Sequence, residues 1–414
     1  MSTKKDLFSY LAIYDENKDG ESFIPLSMGA PGPEMLAGSS ELLIKSTECL
    51  LKDPLEERYT FQYGPCRGDP GFCNEMAKFL STEYGDSVSS EDIMVTAGAT
   101  QGLHLVATVM FDKDTPIFIE DPTYFIGQKM LKDDLGMNVI AVPTDDDGIN
   151  IECLEELLQK YKPDNKPNKS PFWSMIYTIP TFNNPKGHCM SPGRCEALVA
   201  LSRKYDVLLF AEDVYNMLHY SGAKYCPRRL LSFDRRSDPD FKGNVLSNCT
   251  FSKILAPGLR IGWIEAPPRV LDPILNSKTS WSGGSFNHYT SKLMATALKE
   301  GLLQKHLELL RKEYGERMNI ACNALTECLP DSVKCHNPNG GFFIWLKLPD
   351  QVDTLELLRM ALTKYKVNFI NGSSTSPSGS YQNYVRLSIS FCDRKQIYNG
   401  VSKFCEAVKE VMEK

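Results

Sequence analysis

VLSNCTFSKILAPGLRIGW, residues 245–263, carries the strongest structural signal in the chain. It begins as an apolar run typical of a buried strand and then presents two basic residues seven positions apart, Lys253 and Arg260. Pro257 and Gly258 predict a turn between them, because proline and glycine favour turn geometry. We therefore expect the backbone to hold the lysine in a fixed position.

The side chains around this lysine suit a phosphate group. Thr250 and Ser252 place hydroxyls beside Lys253, and Arg260 adds a planar guanidinium that can bind phosphate with two hydrogen bonds. A lysine that bonds covalently to a carbonyl compound needs a fixed position and a lowered pKa. The stretch therefore predicts that Lys253 carries a carbonyl cofactor whose phosphate lies near Arg260.

Upstream of this stretch, short apolar runs alternate with helical patterns over about 200 residues. The predicted strands are residues 93–97, 115–121, 137–142, 172–180, 207–211 and 245–251. This alternation predicts βαβ units and a mostly parallel sheet. Polar residues follow the C-terminal end of nearly every predicted strand, which is the edge where open parallel sheets bind ligands.

The pattern changes after Trp281. One or two long helices at 286–327 precede a mixture of strands and helices of α+β character. We expect residues 1–50 to form an N-terminal arm that joins the small domain. Residues 51–285 are predicted to form a large cofactor-binding domain, and residues 286–414 a small C-terminal domain.

Composition excludes several classes of protein. The chain has 414 residues, 42% of them apolar and 24% charged, which is typical of a globular protein with two domains. A net charge of −6 argues against a nucleic-acid partner. No secretory signal and no apolar run of about 18 residues is evident, so we expect a cytoplasmic protein without a membrane partner. The thirteen cysteines include no CxxC pair, which predicts reduced thiols and no metal site.

The sequence TFSKILAPGLRIG at 250–262 resembles the lysine motif S-x-S-K-x-x-x-P-G-L-R-x-G of the fold-type-I pyridoxal-phosphate enzymes. The chain looks most like class I aminotransferases, particularly the kynurenine/α-aminoadipate aminotransferase branch, from about Gly29 to Arg386. The resemblance implies an α/β fold like that of aspartate aminotransferase, with a three-layer, mostly parallel sheet in the large domain and a smaller α+β domain. It also implies pyridoxal 5'-phosphate as cofactor, and a homodimer with shared active sites.

The implied reaction moves the amino group of an L-amino acid to a 2-oxo acid by a ping-pong mechanism, with Lys253 as the catalytic acid and base. The residues implied for the phosphate offer N–H groups, hydroxyls or a guanidinium: Gly98, Ala99, Thr100, Thr250, Ser252, Arg260 and, from the neighbouring subunit, Tyr63. The first three would lie at a helix N-terminus, which attracts anions. Tyr124 would stack on the ring, and Asn184 and Tyr215 would donate to its phenolic oxygen. On the substrate side, Arg386 would bind the α-carboxylate, and Gly29 would let the backbone approach.

One position departs from the family pattern. A carboxylate must face the pyridine nitrogen and keep it protonated, so that the ring can accept electrons. The family has an aspartate three residues before the tyrosine, whereas this chain has Glu212 there and Asp213 only two residues before Tyr215. Adjacent residues of a strand face opposite ways, so only one of the two can face the cofactor. Both candidates stay open.

Two other functions also stay open on the sequence. A pyridoxal-phosphate-dependent C–S lyase acting on cysteine conjugates would share every residue named above. A catalytically weakened homologue that still binds the cofactor remains an alternative because Glu212 replaces the usual aspartate.

Overall fold

The computed structural model describes residues 23–165, 169–220, 226–330, 332–333, 335 and 337–413. The strands are β1 Ile24–Pro25, β2 Ile93–Thr96, β3 Pro116–Asp121, β4 Asn138–Asp145, β5 Gly148–Ile149, β6 Met175–Thr178, β7 Leu208–Glu212, β8 Val245–Thr250, β9 Gly262–Glu265, β10 Phe343–Lys347, β11 Val367–Asn368, β12 Ile370–Asn371 and β13 Tyr384–Ser388. The α-helices are α1 Pro33–Leu36, α2 Ser39–Lys52, α3 Pro54–Thr60, α4 Pro70–Tyr84, α5 Ala99–Met110, α6 Phe125–Lys129, α7 Ile151–Tyr161, α8 Pro192–Tyr205, α9 Pro268–Leu275, α10 Lys278–Trp281, α11 His288–Lys299, α12 Leu302–Cys328, α13 Thr354–Met360 and α14 Arg394–Met412.

The central sheet has the strand order β2-β9-β8-β7-β6-β3-β4-β5. Strands β8, β7, β6, β3 and β4 are parallel to their neighbours in this run. Strand β9 is antiparallel to both β2 and β8, and β5 is antiparallel to β4. The predicted mostly parallel α/β sheet is therefore confirmed. Strand β9 was not predicted, because its four residues are too few to show a strand period.

Helices cover both faces of this sheet. The inner strands are fully buried and apolar, as in β7 with Leu208–Ala211, which is typical of a parallel sheet covered on both sides. Helices α5 and α9 pack on one face, and α7 and α8 pack on the other. The far end of that second face, at β2 and β9, is covered by α4. The result is the expected three-layer architecture.

The hairpin formed by β8 and β9 fits tightly against the start of α5. Gly98 precedes this helix with φ at 92°, a backbone conformation that side chains rarely adopt. A Cβ added at Gly262 would overlap the carbonyl oxygen of Cys249 and lie 3.0 Å from Cα of Gly98. Glycine at both positions therefore allows the hairpin to lie against the N-terminus of α5.

The C-terminal part is α+β, as predicted. Strands β10, β13 and β12 form an antiparallel sheet, and α12 packs along α14. Of the one or two helices predicted at 286–327, the structure has two, α11 and α12, separated near Gly301 with φ at 66°. Strand β1 of the N-terminal segment pairs with β11. The exact domain boundaries stay a prediction, because α11 contacts both α2 and α4. Within the described ranges, no helix is long and apolar enough to cross a membrane.

Candidate active site

A cavity of about 380 Å³ opens at the C-terminal edge of the central sheet, where the C-terminal part covers it. Most of the predicted site residues line it: Gly29, Ala99, Thr100, Tyr124, Asn184, Glu212, Tyr215, Thr250, Ser252, Lys253, Arg260 and Arg386. These residues come from the ends of β2, β3, β6, β7 and β8 and from β13, so the fold gathers side chains that are far apart in sequence. Gly98, Asp213 and Tyr63 do not line the cavity.

Lys253 follows β8 and extends its amine into the cavity. Its Nζ donates a hydrogen bond to the carbonyl oxygen of Gly29 at 2.9 Å. Burial and the positive charges of Arg386 and Arg260 together lower the pKa of this amine to about 8, while the nearby Glu212 opposes them. A substantial fraction of the amine is therefore neutral near pH 7.5, which is the form that attacks a carbonyl carbon.

The hydroxyls and the guanidinium predicted for a phosphate lie together at one end of the cavity. Thr250 donates to Ser252 at 2.9 Å, and Nη1 of Arg260 lies 3.5 Å from the Ser252 hydroxyl. Arg260 has φ at 48°, and its Nη1 also donates to the carbonyl of Pro257 at 3.0 Å. A Cβ placed on Gly98 would lie 3.1 Å from Nη2 of Arg260, so the first turn of α5 is directly beside this guanidinium. Helix dipole, hydroxyls and guanidinium all favour an anion here.

The structure separates the two candidate carboxylates. Glu212 lines the cavity, and Asn248 donates to both of its oxygens at 3.2 Å. Asp213 lies on the opposite face of the sheet, where the hydroxyl of Ser247 donates to it at 2.5 Å. Of the two, only Glu212 is in a position to meet a ligand in this cavity. The predicted assignment of Asp213 to the cofactor is not supported, because the alternation of the strand turns its side chain away.

Burial affects the charges of both carboxyls. It raises the pKa of Glu212 to about 8, with Asp213 adding to the increase and Asn248 and Lys253 reducing it. Burial also raises the pKa of Asp213 to about 6. Glu212 therefore exchanges its proton near neutral pH, which suits a group that shares a proton with a basic ring nitrogen.

Arg386 lies opposite, in β13. Its guanidinium is 3% exposed, Nη1 donates to Oδ1 of Asn184 at 2.9 Å, and Nη2 donates to the carbonyl of Ser27 at 2.5 Å. The guanidinium carbon lies 4.2 Å from the centre of the Phe343 ring. Burial lowers the pKa of this group to about 10. Among the described residues, Arg386 has no carboxylate partner and its Nε has no acceptor, so the site is suited to an incoming carboxylate.

Tyr124, predicted to stack on the cofactor ring, and Tyr215, predicted to donate to its phenolic oxygen, both line the cavity. Burial raises the pKa of Tyr124 to about 12, and the nearby Glu212 adds to this increase. Burial also raises the pKa of Tyr215, whose ring packs edge-on against Phe342 and Phe343 with centroid distances of 5.4 and 5.5 Å. Both hydroxyls can therefore donate to an oxygen of a ligand at any ordinary pH.

Tyr63 is not brought to this cavity within the chain. Its side chain is 81% exposed and lies beside Gly283, where an added Cβ would be 3.3 Å from the tyrosine ring. The predicted contact with the phosphate of a neighbouring subunit therefore stays a prediction.

Two parts of the site were not predicted from the sequence: the apolar residues that line the cavity, and one buried amide that bonds to Glu212. The additional lining residues are Ser27, Met28, Leu103, Phe125, Ile126, Gly127, Met130, Ile179, Val214, Pro257, Phe343 and Ile370. Apolar side chains carry no chemical signature in a sequence, so these could not be separated from core residues. The buried amide belongs to Asn248, which holds Glu212 and stands out in the sequence within the apolar strand β8.

Taken together, the geometry defines a class of enzyme that holds a phosphorylated aldehyde on a lysine. The polar groups of the cavity fit pyridoxal phosphate. The hydroxyls and Arg260 form an anion site, Glu212 is a carboxylate that exchanges its proton, and Lys253 offers a partly neutral amine. Residues 37–404 match the family described as aminotransferase class I and II, and the chain belongs to this family. Pyridoxal phosphate is the family's cofactor, and the chain is a pyridoxal-phosphate-dependent aminotransferase.

Individual relatives agree with this family. The chain is 32% identical over 391 residues to aromatic-amino-acid aminotransferase 1 of Thermococcus litoralis, covering 94% of this chain and 89% of that protein. It is 27% identical to the mitochondrial kynurenine/alpha-aminoadipate aminotransferase of Mus musculus, covering 95% and 93%. Among solved structures, Pyrococcus horikoshii kynurenine aminotransferase superposes with a TM-score of 0.81 at 30% identity, covering 94% and 92%. The predicted resemblance to the kynurenine/α-aminoadipate branch is thus confirmed.

Proposed function

We propose that Lys253 holds pyridoxal 5'-phosphate, and that the residues around it transfer the amino group of an apolar or aromatic L-amino acid to a 2-oxo acid. The observation that carries the proposal is that the Lys253 amine shares one cavity with Arg260 and Arg386, whose charges help to lower its pKa to about 8. One cation is suited to the phosphate of the cofactor, and the other is suited to the carboxylate of the substrate. The amine is suited to the reacting carbon atoms.

Each group of residues has a distinct task. When bound, the cofactor supplies an electron sink that makes the Cα–H bond of the amino acid acidic. Arg260, Ser252 and the N–H groups of Ala99 and Thr100 bind the phosphate. Glu212 holds a proton at the pyridine nitrogen.

Arg386, Asn184, Tyr215 and Lys253 act on the substrate and on the phenolic oxygen of the cofactor. Arg386 would bind the α-carboxylate through two parallel hydrogen bonds, and the side-chain oxygen of Asn184 accepts a hydrogen bond that holds this arginine in place. Tyr215 and Asn184 donate to the phenolic oxygen. Lys253 takes the proton from Cα in its neutral form and returns it during product formation, as a general base and acid.

We expect the substrate side chain to be apolar because the rest of the cavity wall is apolar. Leu103, Phe125, Ile126, Met130 and Phe343 line the space that the polar residues leave. In the described part of the chain, the cations that line the cavity are Lys253, Arg260 and Arg386, and each already has a role. No cation of this wall is left for the second carboxylate of aspartate or glutamate.

The test is a set of half-reactions on the cofactor-loaded protein. Phenylalanine, leucine, aspartate and glutamate are mixed separately with the protein, and the loss of visible absorbance and the 2-oxo acid product are both measured. We expect phenylalanine and leucine to react at least about tenfold faster than aspartate, since an unpaired carboxylate in an apolar wall costs several kcal/mol. An absent visible band, or a band that persists unchanged in Lys253→Ala, would refute the assignment of Lys253. Faster reaction of aspartate would refute only the substrate class.

The proposal includes a homodimer. An exposed aromatic patch formed by Tyr59, Phe61, Tyr63, Trp281 and Tyr289 supports it, because large aromatic side chains rarely cluster on a monomer's surface. Phe61 and Tyr289 stack on each other with centroids 5.5 Å apart. A second copy covers this patch and receives Tyr63 near its phosphate. Sedimentation should report a dimer, and Tyr63→Phe should weaken cofactor binding without changing the mass, whereas Tyr59→Phe should change neither.

The proposal also includes a cytoplasmic location. Buried cysteines such as Cys73, Cys195 and Cys249 form no disulfide bond, which supports a reducing compartment. Fractionation of cells that express the tagged chain tests this. Recovery in an oxidising compartment with disulfide bonds would contradict it.

A further inference from the structure

Asn248 and Glu212 form a buried polar pair beside the cavity. They are register partners on the parallel strands β8 and β7, so their side chains point to the same face of the sheet. Asn248 is fully buried, and its Nδ2 lies 3.2 Å from each carboxylate oxygen of Glu212. A buried amide that contacts both oxygens restricts the carboxylate to one orientation.

The surroundings fix which end of the Asn248 amide faces Glu212. Nδ2 also donates to the carbonyl oxygen of Ala99 at 2.9 Å. The neighbours on this side are all acceptors, so the NH2 group must face them. On the other side, Oδ1 points toward Gly102, where an added Cβ would overlap it. Gly102 therefore leaves the room that Asn248 needs.

We propose that Asn248 is a positioning residue: it holds the carboxylate of Glu212 toward the cavity and ties it to the first turn of α5. The proposal rests on the proposed function, in which Glu212 meets the pyridine nitrogen and α5 meets the phosphate. One amide then links the two ends of the cofactor site. The link also suits a carboxylate on a side chain one methylene longer than aspartate, since the extra freedom of glutamate has to be restricted.

The charges near Glu212 support this role. After burial, the hydrogen bond from Asn248 is the largest influence on the pKa of Glu212, and it lowers that pKa. The titratable groups that act on Glu212 are Asp213, the next residue in the chain, Tyr177 on β6 and Lys253 after β8. Glu212 in turn acts on Tyr124 and Tyr215. Asp213 opposes ionisation, whereas Lys253 favours it. Loss of the amide therefore leaves Glu212 with a stronger tendency to keep its proton, and a protonated carboxyl cannot stabilise a positive ring nitrogen.

The neighbouring strand position offers a matched control. Ser247 is as deeply buried as Asn248 and donates to the other carboxylate, Asp213, on the opposite face of the sheet. Ser247→Ala removes a hydrogen bond of the same kind at the adjacent residue. It removes no contact of Glu212, and neither Ser247 nor Asp213 lines the cavity.

The experiment measures the protonation of the cofactor itself. Protein loaded with cofactor labelled with ¹⁵N in its ring is titrated with base, and the ¹⁵N chemical shift gives the pKa of the pyridine nitrogen. We expect Asn248→Leu, which is close in size but cannot donate, to lower that pKa by about one unit or more, a tenfold loss of protonated ring. Ser247→Ala should leave it within about 0.3 units. An unchanged nitrogen pKa in Asn248→Leu would overturn the proposal, even if the variant is less stable.

Two further variants keep the result interpretable. Asn248→Ala removes the amide without adding bulk and should reproduce the shift if Asn248→Leu does not fold. In the background Glu212→Gln, the change Asn248→Leu should have no additional effect on the ¹⁵N shift, because the amide acts through Glu212. Additive effects would overturn the proposal. Failure of the proposed function is distinguishable, because wild-type protein would then show no bound cofactor signal.

Discussion

The pKa of Lys253 gives a quantitative prediction for how fast the cofactor-free protein captures pyridoxal phosphate. With a pKa of about 8, roughly a quarter of the amines are neutral at pH 7.5. A lysine with an ordinary pKa near 10.4 would have only about 0.1% neutral amine at this pH. The buried amine should therefore react on the order of 200-fold faster at pH 7.5 than an ordinary one of equal reactivity.

Stopped-flow absorbance after mixing cofactor-free protein with pyridoxal phosphate measures this rate. We expect it to rise with pH to a plateau, with a midpoint near pH 8. Arg386 is the largest influence on the Lys253 pKa after burial, so Arg386→Leu should move the midpoint upward by up to about one unit. Lys253→Ala should abolish the band. A midpoint above pH 10, or a downward shift in Arg386→Leu, would refute the reasoning.

Three more predictions concern other charged groups. In cofactor-free protein, the folded state keeps the Glu212 proton between about pH 4.5 and 8, whereas the unfolded state has lost it, so the free energy of unfolding falls as pH rises through this window. At about 1.4 kcal/mol per pKa unit, Glu212→Gln should remove a few kcal/mol of this fall, as measured by urea unfolding. Arg386→Lys should lower kcat/KM about 100-fold in steady-state assays, because an ammonium cannot make the two parallel hydrogen bonds. Arg229→Met should cost about 3–5 kcal/mol of unfolding free energy by leaving the buried Glu265 unpaired, whereas Lys45→Met at an exposed pair should cost less than about 1 kcal/mol.

Each of these three has a result that would contradict it. A pH-stability slope that survives in Glu212→Gln would mean that other groups carry the proton linkage. Wild-type kcat/KM in Arg386→Lys would remove that arginine from substrate binding. Equal losses in Arg229→Met and Lys45→Met would show that burial does not distinguish the two ion pairs.

The phosphate end of the site could be predicted from the sequence because several of its residues lie close together in the chain. Lys253 and Arg260 lie on one short stretch, and a Pro-Gly turn between them has a defined geometry whatever surrounds it. The parallel sheet was also predictable, since fully buried strands read as continuous apolar runs. Tyr124, Asn184 and Glu212 each follow or end a predicted strand. Because the C-terminal ends of parallel strands lie at the same edge of a sheet, these residues were expected to lie close together.

Other features depend on packing that the sequence does not display. The choice between Glu212 and Asp213 required the register of β7, because adjacent residues differ only in which face they occupy. The apolar wall, for example Leu103 and Phe343, is indistinguishable in sequence from core residues until the cavity is seen. Strand β9 was too short to show a period, and only Glu300 and Gly301 separate α11 from α12, so the sequence left one or two helices open within 286–327.

The hydrogen bonds of the cavity span very different lengths of chain, which has a consequence for folding. At the phosphate end, Thr250 and Ser252 are two residues apart and Asn248 bonds to Ala99 across 149 residues. Lys253 bonds to Gly29 across 224 residues, and Arg386 bonds to Ser27 across 359. Contacts between distant segments carry a larger loop-closure cost and tend to form late. We therefore expect the phosphate end to assemble before the carboxylate end, so the cofactor can bind an incompletely folded chain and speed its completion. Refolding with and without pyridoxal phosphate would reveal this as a faster final phase.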